Sequence, residues 1–350
     1  MVMGNAGIGP ARAKCTALNG RHEAVPAPNP PSRAAVPQAW EDDLVGRLSK
    51  ALARASGPPP DGETWIGDDA AVLAPPDGVL LLATDAAVAG VHADLGLVGL
   101  DDLGWKALTA TVSDIAAMGG RPTHALVTIC GPPGTDLDRL NAGVAEASAE
   151  WSCPVVGGDL SGAPVVVVVV AVSGSVESGG RPPVARSGAV PGDRLFVTGP
   201  LGGSAAGLRL LREEAGPPAG AGLADVVAAH RRPRARVAEG ETARRAGASA
   251  MIDVSDGLSI DAGRLARASG VGLALDGVPV AAGATEDEAL GGGEDYELVV
   301  ATGDPEGLLA AFAAVGLRPP LPIGRCSDDP EERRVGGRPL GEAGWQHELG

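Results

Sequence analysis

The chain has 350 residues, a formal net charge of −16 and four cysteines. That length suits two domains, or one large one, around a sizeable core, and the acidic balance excludes a nucleic-acid surface built from clustered Lys and Arg. Cys15, Cys130, Cys153 and Cys326 show neither C-x-x-C nor His-paired spacing, so neither a zinc site nor a disulfide framework is indicated and a cytoplasmic location fits.

Residues 1–37, rich in Ala, Gly, Pro and Arg, lack periodicity and read as a disordered tail without the apolar run of a secretory signal. Order is expected from Trp40, where Leu44, Val45 and Leu48 mark one face of a helix. Ile66-Gly-Asp-Asp-Ala70 then sets Asp68 and Asp69 before a turn, and the strand GVLLLATD ends on Thr84 and Asp85. His92 follows in TDAAVAGVHAD; by itself it reads as a satisfied or exposed imidazole. In DDLGWKALTATVSDIAAMGG, Leu108, Val112, Ile115 and Met118 recur at helical spacing and Gly119-Gly120 supplies the stop. Asp114 lies beside that stripe and, taken alone, is an exposed helix acid.

Trp151 to Val156 leads to Gly157-Gly158-Asp159, an acid at a strand end after a glycine pair that lets backbone approach a ligand. Pro164 to Val172, with six consecutive valines, is too short to span a bilayer and reads as a strand buried on both faces. The turn Pro191-Gly192-Asp193 before the strand Arg194 to Thr198 marks a second boundary, giving an N-terminal domain 38–188 and a C-terminal domain 189–350. GGSAAG, Gly202 to Gly207, reads as a helix start capped by Ser204 rather than as a phosphate cradle.

MIDVSDGL, Met251 to Leu258, reads as a strand with Asp253 and Ser255 on one face, running through Asp256-Gly257 into a helix. Asp256 is either an N-cap or, with Asp253, a cation ligand; the motif alone leaves both open. LGGGEDYEL finally sets Glu294 and Asp295 after three glycines and before another strand.

Taken together, Asp68, Asp69, Asp85, Asp114, Asp159, Asp253 and Asp256 form a series of acids at element ends, most beside Gly or a hydroxyl. Carboxylate, hydroxyl and carbonyl oxygens are what magnesium prefers, and protein-bound magnesium typically serves phosphates, so a nucleotide is expected. The sequence holds no G-x-x-x-x-G-K-[ST] loop, no protein-kinase set and no Ser-His-Asp arrangement.

The ordered series IGDD, TD, VAGVH, SDIAAMG, GGD, RSG-x-x-PGD, DVSDG and GGEDYEL resembles the thiamine-monophosphate kinase family. That family's superfamily includes aminoimidazole ribonucleotide synthetase, selenophosphate synthetase and a hydrogenase maturation factor. The resemblance covers residue 40 onward and implies a two-domain α/β (α+β) fold, with an N-terminal α/β domain forming a dimer sheet and a C-terminal α/β domain packed on it. It implies a homodimer that uses ATP, with several Mg²⁺ ions, to phosphorylate thiamine monophosphate to thiamine diphosphate, with no nucleic-acid or membrane partner.

Carried over by position, Asp68, Thr84, Asp85, Asp114, Asp159, Asp253 and Asp256 resemble the magnesium ligands. Gly158, Asp159, Arg186 and Ser255 resemble ATP contacts, and His92, Glu294 and Trp345 the acceptor contacts. After Gly-Gly-Asp this chain has Leu160 before Ser161, where the family tends to place hydroxyl residues directly. The alternatives are another ATP-dependent member such as aminoimidazole ribonucleotide synthetase, or a non-catalytic nucleotide-binding regulator.

Overall fold

A computed structural model describes residues 38–66, 69–213 and 223–346. The expected tail 1–37 and the candidate ligand Asp68 lie outside the described residues. Helix α1 (Gln38–Ser56) buries Leu44, Leu48 and Leu52 along one side. Val45, expected with them, is exposed, because one residue turns a helix by about 100° and carries it off the i, i+4, i+8 stripe.

The first sheet contains β1 (Gly78–Val88), β2 (Arg121–Gly131), β3 (Val155–Gly162) and β4 (Val167–Glu177), in the order β1-β4-β2-β3. β1 pairs antiparallel with β4 over its whole length, from Gly78 opposite Glu177 to Val88 opposite Val167. The strand therefore runs past Asp85, which sits inside the ladder opposite Val170 and not at a strand end. Asp159 is likewise internal, opposite Thr128 in the parallel pair of β2 and β3.

The valine run is buried on one face only: Val168, Val170 and Val172 are inaccessible while Val167, Val169 and Ala171 are half-buried. Helix α2 (Leu100–Ala117) covers the first of these faces and helix α3 (Leu137–Glu150) packs on α2. Among the described residues no helix covers the other side, which keeps Leu80, Leu82 and Leu126 exposed, Leu82 at 75%.

The second sheet contains β5 (Arg194–Val197), β6 (Ala250–Asp253), β7 (Gly272–Leu275), β8 (Leu298–Thr302), β9 (Leu321–Ser327), β10 (Arg333–Val335) and β11 (Arg338–Pro339). Their order is β11-β10-β7-β9-β5-β8-β6. The helices with it are α4 (Gly203–Glu213), α5 (Leu223–Arg231), α6 (Val237–Ala246), α7 (Leu258–Ser269), α8 (Glu286–Gly291) and α9 (Pro305–Ala314).

Strand alternation divides this half into two cores. Leu195, Val197, Ile252 and Val299 pack with Leu258 and Leu265 of α7. Phe196, Met251, Leu298 and Val300 pack with Ala243 of α6 and Leu308 and Phe312 of α9. Ala117, at the end of α2, enters this second core, so one helix serves both sheets.

The junction is fixed by Arg244 of α6, a fully buried guanidinium. It donates to the Gly119 carbonyl at 2.8 Å, the Arg181 carbonyl at 2.5 Å and Glu177 Oε2 at 2.5 Å. The hydrogen bond from Arg244 holds the Glu177 carboxyl down at about 2. Gly119 has φ +69, and a Cβ there would lie 2.5 Å from Arg244 Cβ, so its absent side chain seats the arginine. Among the described residues no helix is long and apolar enough to cross a membrane.

Candidate active site

Asp85 of β1, Asp114 of α2 and Asp253 of β6 come together from three elements and both sheets. Burial, then the charges of Asp253 and Asp85, push Asp114 up to about 8. Burial raises Asp85 as well, opposed by its interaction with Asp114 and by His92. Asp253 is buried and raised by desolvation, while a 2.7 Å hydrogen bond from the Ser113 hydroxyl and the charge of Arg186 oppose the rise.

Such a cluster is expensive without a compensating cation. Its donors are all oxygens, which suits a hard divalent ion. Among the described residues no three His, Cys, Asp or Glu side chains close on one point as a formed cage.

The turn after β6 is organised by a residue that the sequence reading passed over. Asp261, buried in the first turn of α7, accepts through Oδ2 from the N–H groups of Ser255 (3.0 Å), Asp256 (2.8 Å) and Gly257 (3.2 Å). Burial still lifts it to about 6. Gly257, not Asp256, is the N-cap residue. Asp256 instead accepts from Arg264 Nη1 at 2.5 Å, and its charge contributes to raising Asp85. Trp345 N–H donates to the Asp256 carbonyl at 2.9 Å, which brings the indole, 48% exposed, beside this turn.

The Gly293–Glu297 segment lies against it. Glu294 N–H donates to the Ser255 carbonyl at 2.8 Å and Tyr296 N–H to the Val254 carbonyl at 2.9 Å. Asp295 accepts from Gly202 N–H at 2.6 Å and Ser204 N–H at 3.2 Å, so the cap of α4 is Asp295 and not Ser204. Burial pushes Asp295 up to about 7. Ser204 Oγ pairs instead with His230 Nδ1 at 3.1 Å.

Glu294 Oε2 accepts from Lys106 Nζ at 2.7 Å, and Lys106 also reaches the His92 carbonyl at 3.5 Å. Val88 N–H donates to His92 Nδ1 at 3.0 Å, which leaves the neutral ring's proton on Nε2.

Two expected ligands fall elsewhere. Strand alternation and register place Thr84 and Asp159 on the open face with Leu82 and Leu126, opposite the face of Asp85. The Thr84 hydroxyl donates to the Val170 carbonyl at 3.0 Å. Gly158 has a structural reason of its own, since a Cβ there would lie 1.8 Å from the Val127 carbonyl oxygen. Arg186 is exposed, yet its charge acts on both Asp114 and Asp253.

Lys106, Ser113 and Asp261 escaped the sequence reading, which set Asp295 before a strand but gave it no role. Ser113 stands directly before Asp114, a signal that was there to use. Nothing in a lone Lys on an amphipathic helix distinguishes a buried cation from a solvated one.

Residues 67–176 match the N-terminal domain of the AIR synthase related proteins and residues 190–336 their C-terminal domain. A thiamine-monophosphate kinase of Mycobacterium tuberculosis is 36% identical over 295 residues, covering 80% of this chain and 84% of the relative. The crystal structure of thiamine-monophosphate kinase from Stenotrophomonas maltophilia superposes with a TM-score of 0.72 at 31% identity, over 84% of this chain and 96% of that one. A solved structure described as AaThiL complexed with AMPPCP and TMP gives 0.69 at 30% identity, over 89% and 97%. With both domains matched in order and a relative of this identity covering four fifths of it, the chain belongs to the thiamine-monophosphate kinase family, with that family's two-domain α/β fold.

Proposed function

We propose that the protein transfers the terminal phosphoryl group of ATP to the phosphate of thiamine monophosphate, giving ADP and thiamine diphosphate. The observation that carries this reading is the convergence of Asp85, Asp114 and Asp253 from β1, α2 and β6 with Arg186 beside them, in a member of this kinase family. The test is a mass spectrum and coupled assay with ATP, Mg²⁺ and thiamine monophosphate, each omitted in turn. Thiamine diphosphate and ADP are expected to form together, and only with all three present. ADP release without acceptor, or no thiamine diphosphate, overturns the reading.

The acceptor oxygen belongs to a phosphate monoester whose second pKa is about 6, so it is largely ionised at neutral pH and needs no general base. The difficulty is bringing two polyanions together. Asp85, Asp114 and Asp253, with Asp256 at the next turn, are the side chains that would hold magnesium, and by family position Asp68 would join them. Bound there, magnesium would neutralise charge and help align phosphate oxygens for in-line transfer. Arg186 adds a guanidinium that can grip a phosphate through two N–H groups. Asp261 keeps the Ser255–Gly257 backbone fixed, so Ser255 and Asp256 are presented to nucleotide and metal in one geometry.

On the acceptor side, His92 presents Nε2–H, Glu294 a carboxylate for a cationic ring, and Trp345 an indole face.

We place the domain boundary at 188/189 and the protein in the cytoplasm as a homodimer. Exposed Leu80, Leu82 and Leu126 on the uncovered sheet face support self-association. Burying each such side chain is worth about 1.5–3 kcal/mol. Thr84 and Asp159 share that face, so a second copy seated there would bring them to a subunit boundary.

A further inference from the structure

We infer that Lys106 is a positioning residue for the acceptor site, its ammonium group holding Glu294 and the His92 turn in a single arrangement; this rests on the acceptor roles proposed above for those two residues. Lys106 lies in the second turn of α2 and is 3% exposed. A cation that deep is disfavoured unless its donors are engaged. Its Nζ donates to Glu294 Oε2 at 2.7 Å, 188 positions away in sequence, and to the His92 carbonyl at 3.5 Å. The two segments that supply the proposed acceptor contacts thus meet at one ammonium group.

Glu294 needs such a hold. It has φ +63 and Tyr296, two residues on, has φ +51, backbone conformations that non-glycine residues keep only where the surroundings impose them. Three anchors come from the second sheet's half of the molecule: Asp295 on the N-terminus of α4, Glu294 N–H on Ser255, and Tyr296 N–H on Val254. Lys106 is the anchor that α2 supplies, and it alone of these grips the Glu294 side chain.

His230 Nδ1 lies 3.8 Å from the same Glu294 oxygen. Burial and then the charge of Lys106 hold its pKa down at about 3, so it stays neutral and does not share the pairing. Because α2 also carries Asp114, the lysine couples the acceptor pocket to the metal-binding acids through one rigid helix.

The experiment compares the parent, Lys106→Met, Glu294→Gln and the double variant. Steady-state kinetics are run in each substrate, thiamine monophosphate binding is measured by calorimetry without ATP, and thermal midpoints control for folding. The expected result for Lys106→Met is a KM and Kd for thiamine monophosphate raised by about tenfold or more. Its KM for ATP should stay within about twofold of the parent, and adding Glu294→Gln should cost little further, because one interaction has already been lost.

An unchanged KM and Kd for thiamine monophosphate overturns the inference, as does an equal rise in both KM values or full additivity in the double variant. If Lys106→Met does not fold, Glu294→Gln decides: it must raise the thiamine monophosphate Kd while sparing ATP. A parent that binds thiamine monophosphate but makes no thiamine diphosphate defeats the kinase reading alone, and Kd still judges Lys106. A parent that does not bind it defeats both.

Discussion

Ser113 on α2 and Asp253 on β6 are joined by a 2.7 Å hydrogen bond although 140 positions separate them, and both are buried. Removing the hydroxyl leaves a buried carboxyl short of a donor. Ser113→Ala should lower stability by about 1–3 kcal/mol, read from urea denaturation of parent and variant. Equal midpoints would show that the bond does not hold the two sheets' helices and strands together.

The acid cluster should trade stability for turnover. A carboxyl whose folded pKa lies above its unfolded value binds protons better when folded, so its ionisation at neutral pH works against folding. Asp85→Asn and Asp253→Asn should therefore leave the thermal midpoint of the metal-free protein unchanged or higher. Turnover should fall by at least about a hundredfold. Chelation with EDTA should abolish turnover of the parent, and Mg²⁺ should restore it. A variant with normal Mg²⁺-dependent turnover would remove that residue from the ligand set.

His230 supplies an acid-sensitive contribution of definite sign. Its folded pKa, about 3, is below the ordinary 6.5 because burial and the nearby cations Lys106, Arg212 and Arg231 oppose its charging. The unfolded chain takes up the proton first, so stability is full above pH 6.5 and declines as pH falls below it. The slope approaches about 1.4 kcal/mol per pH unit. His230→Asn, which can still pair with Ser204, should be flatter than the parent between pH 6.5 and 5 in denaturation experiments. Parallel curves would mean that His230 is charged in the fold.

Leu82, three-quarters exposed in the isolated chain, should be covered in solution. Sedimentation should show the parent as a dimer and Leu82→Glu as a monomer, since an unpaired charge in an apolar interface is strongly disfavoured. A parental monomer would end the homodimer reading.

Helical spacing in α2 and the acid-glycine motifs made much of this arrangement legible, because both are local patterns in a linear chain. Strand ends were less so. Asp85 and Asp159 looked terminal, yet β1 continues to Val88 and β3 to Gly162, since ladder pairing with a remote strand sets where a strand stops. The same remoteness hid Lys106 and the capping role of Asp295, whose partners are fixed only by tertiary packing. Asp261 was obscured differently: its role is to accept three main-chain N–H groups, and main chain leaves no signature in sequence. Asp256 carried two readings, and the capping one fell to Gly257.

Arg244, seated over Gly119 with acceptors after α2 and at the end of β4, has a mechanical consequence. Opening the molecule like a clamshell at that junction would strip a desolvated guanidinium of every partner at once, a cost that sets itself against any such hinge.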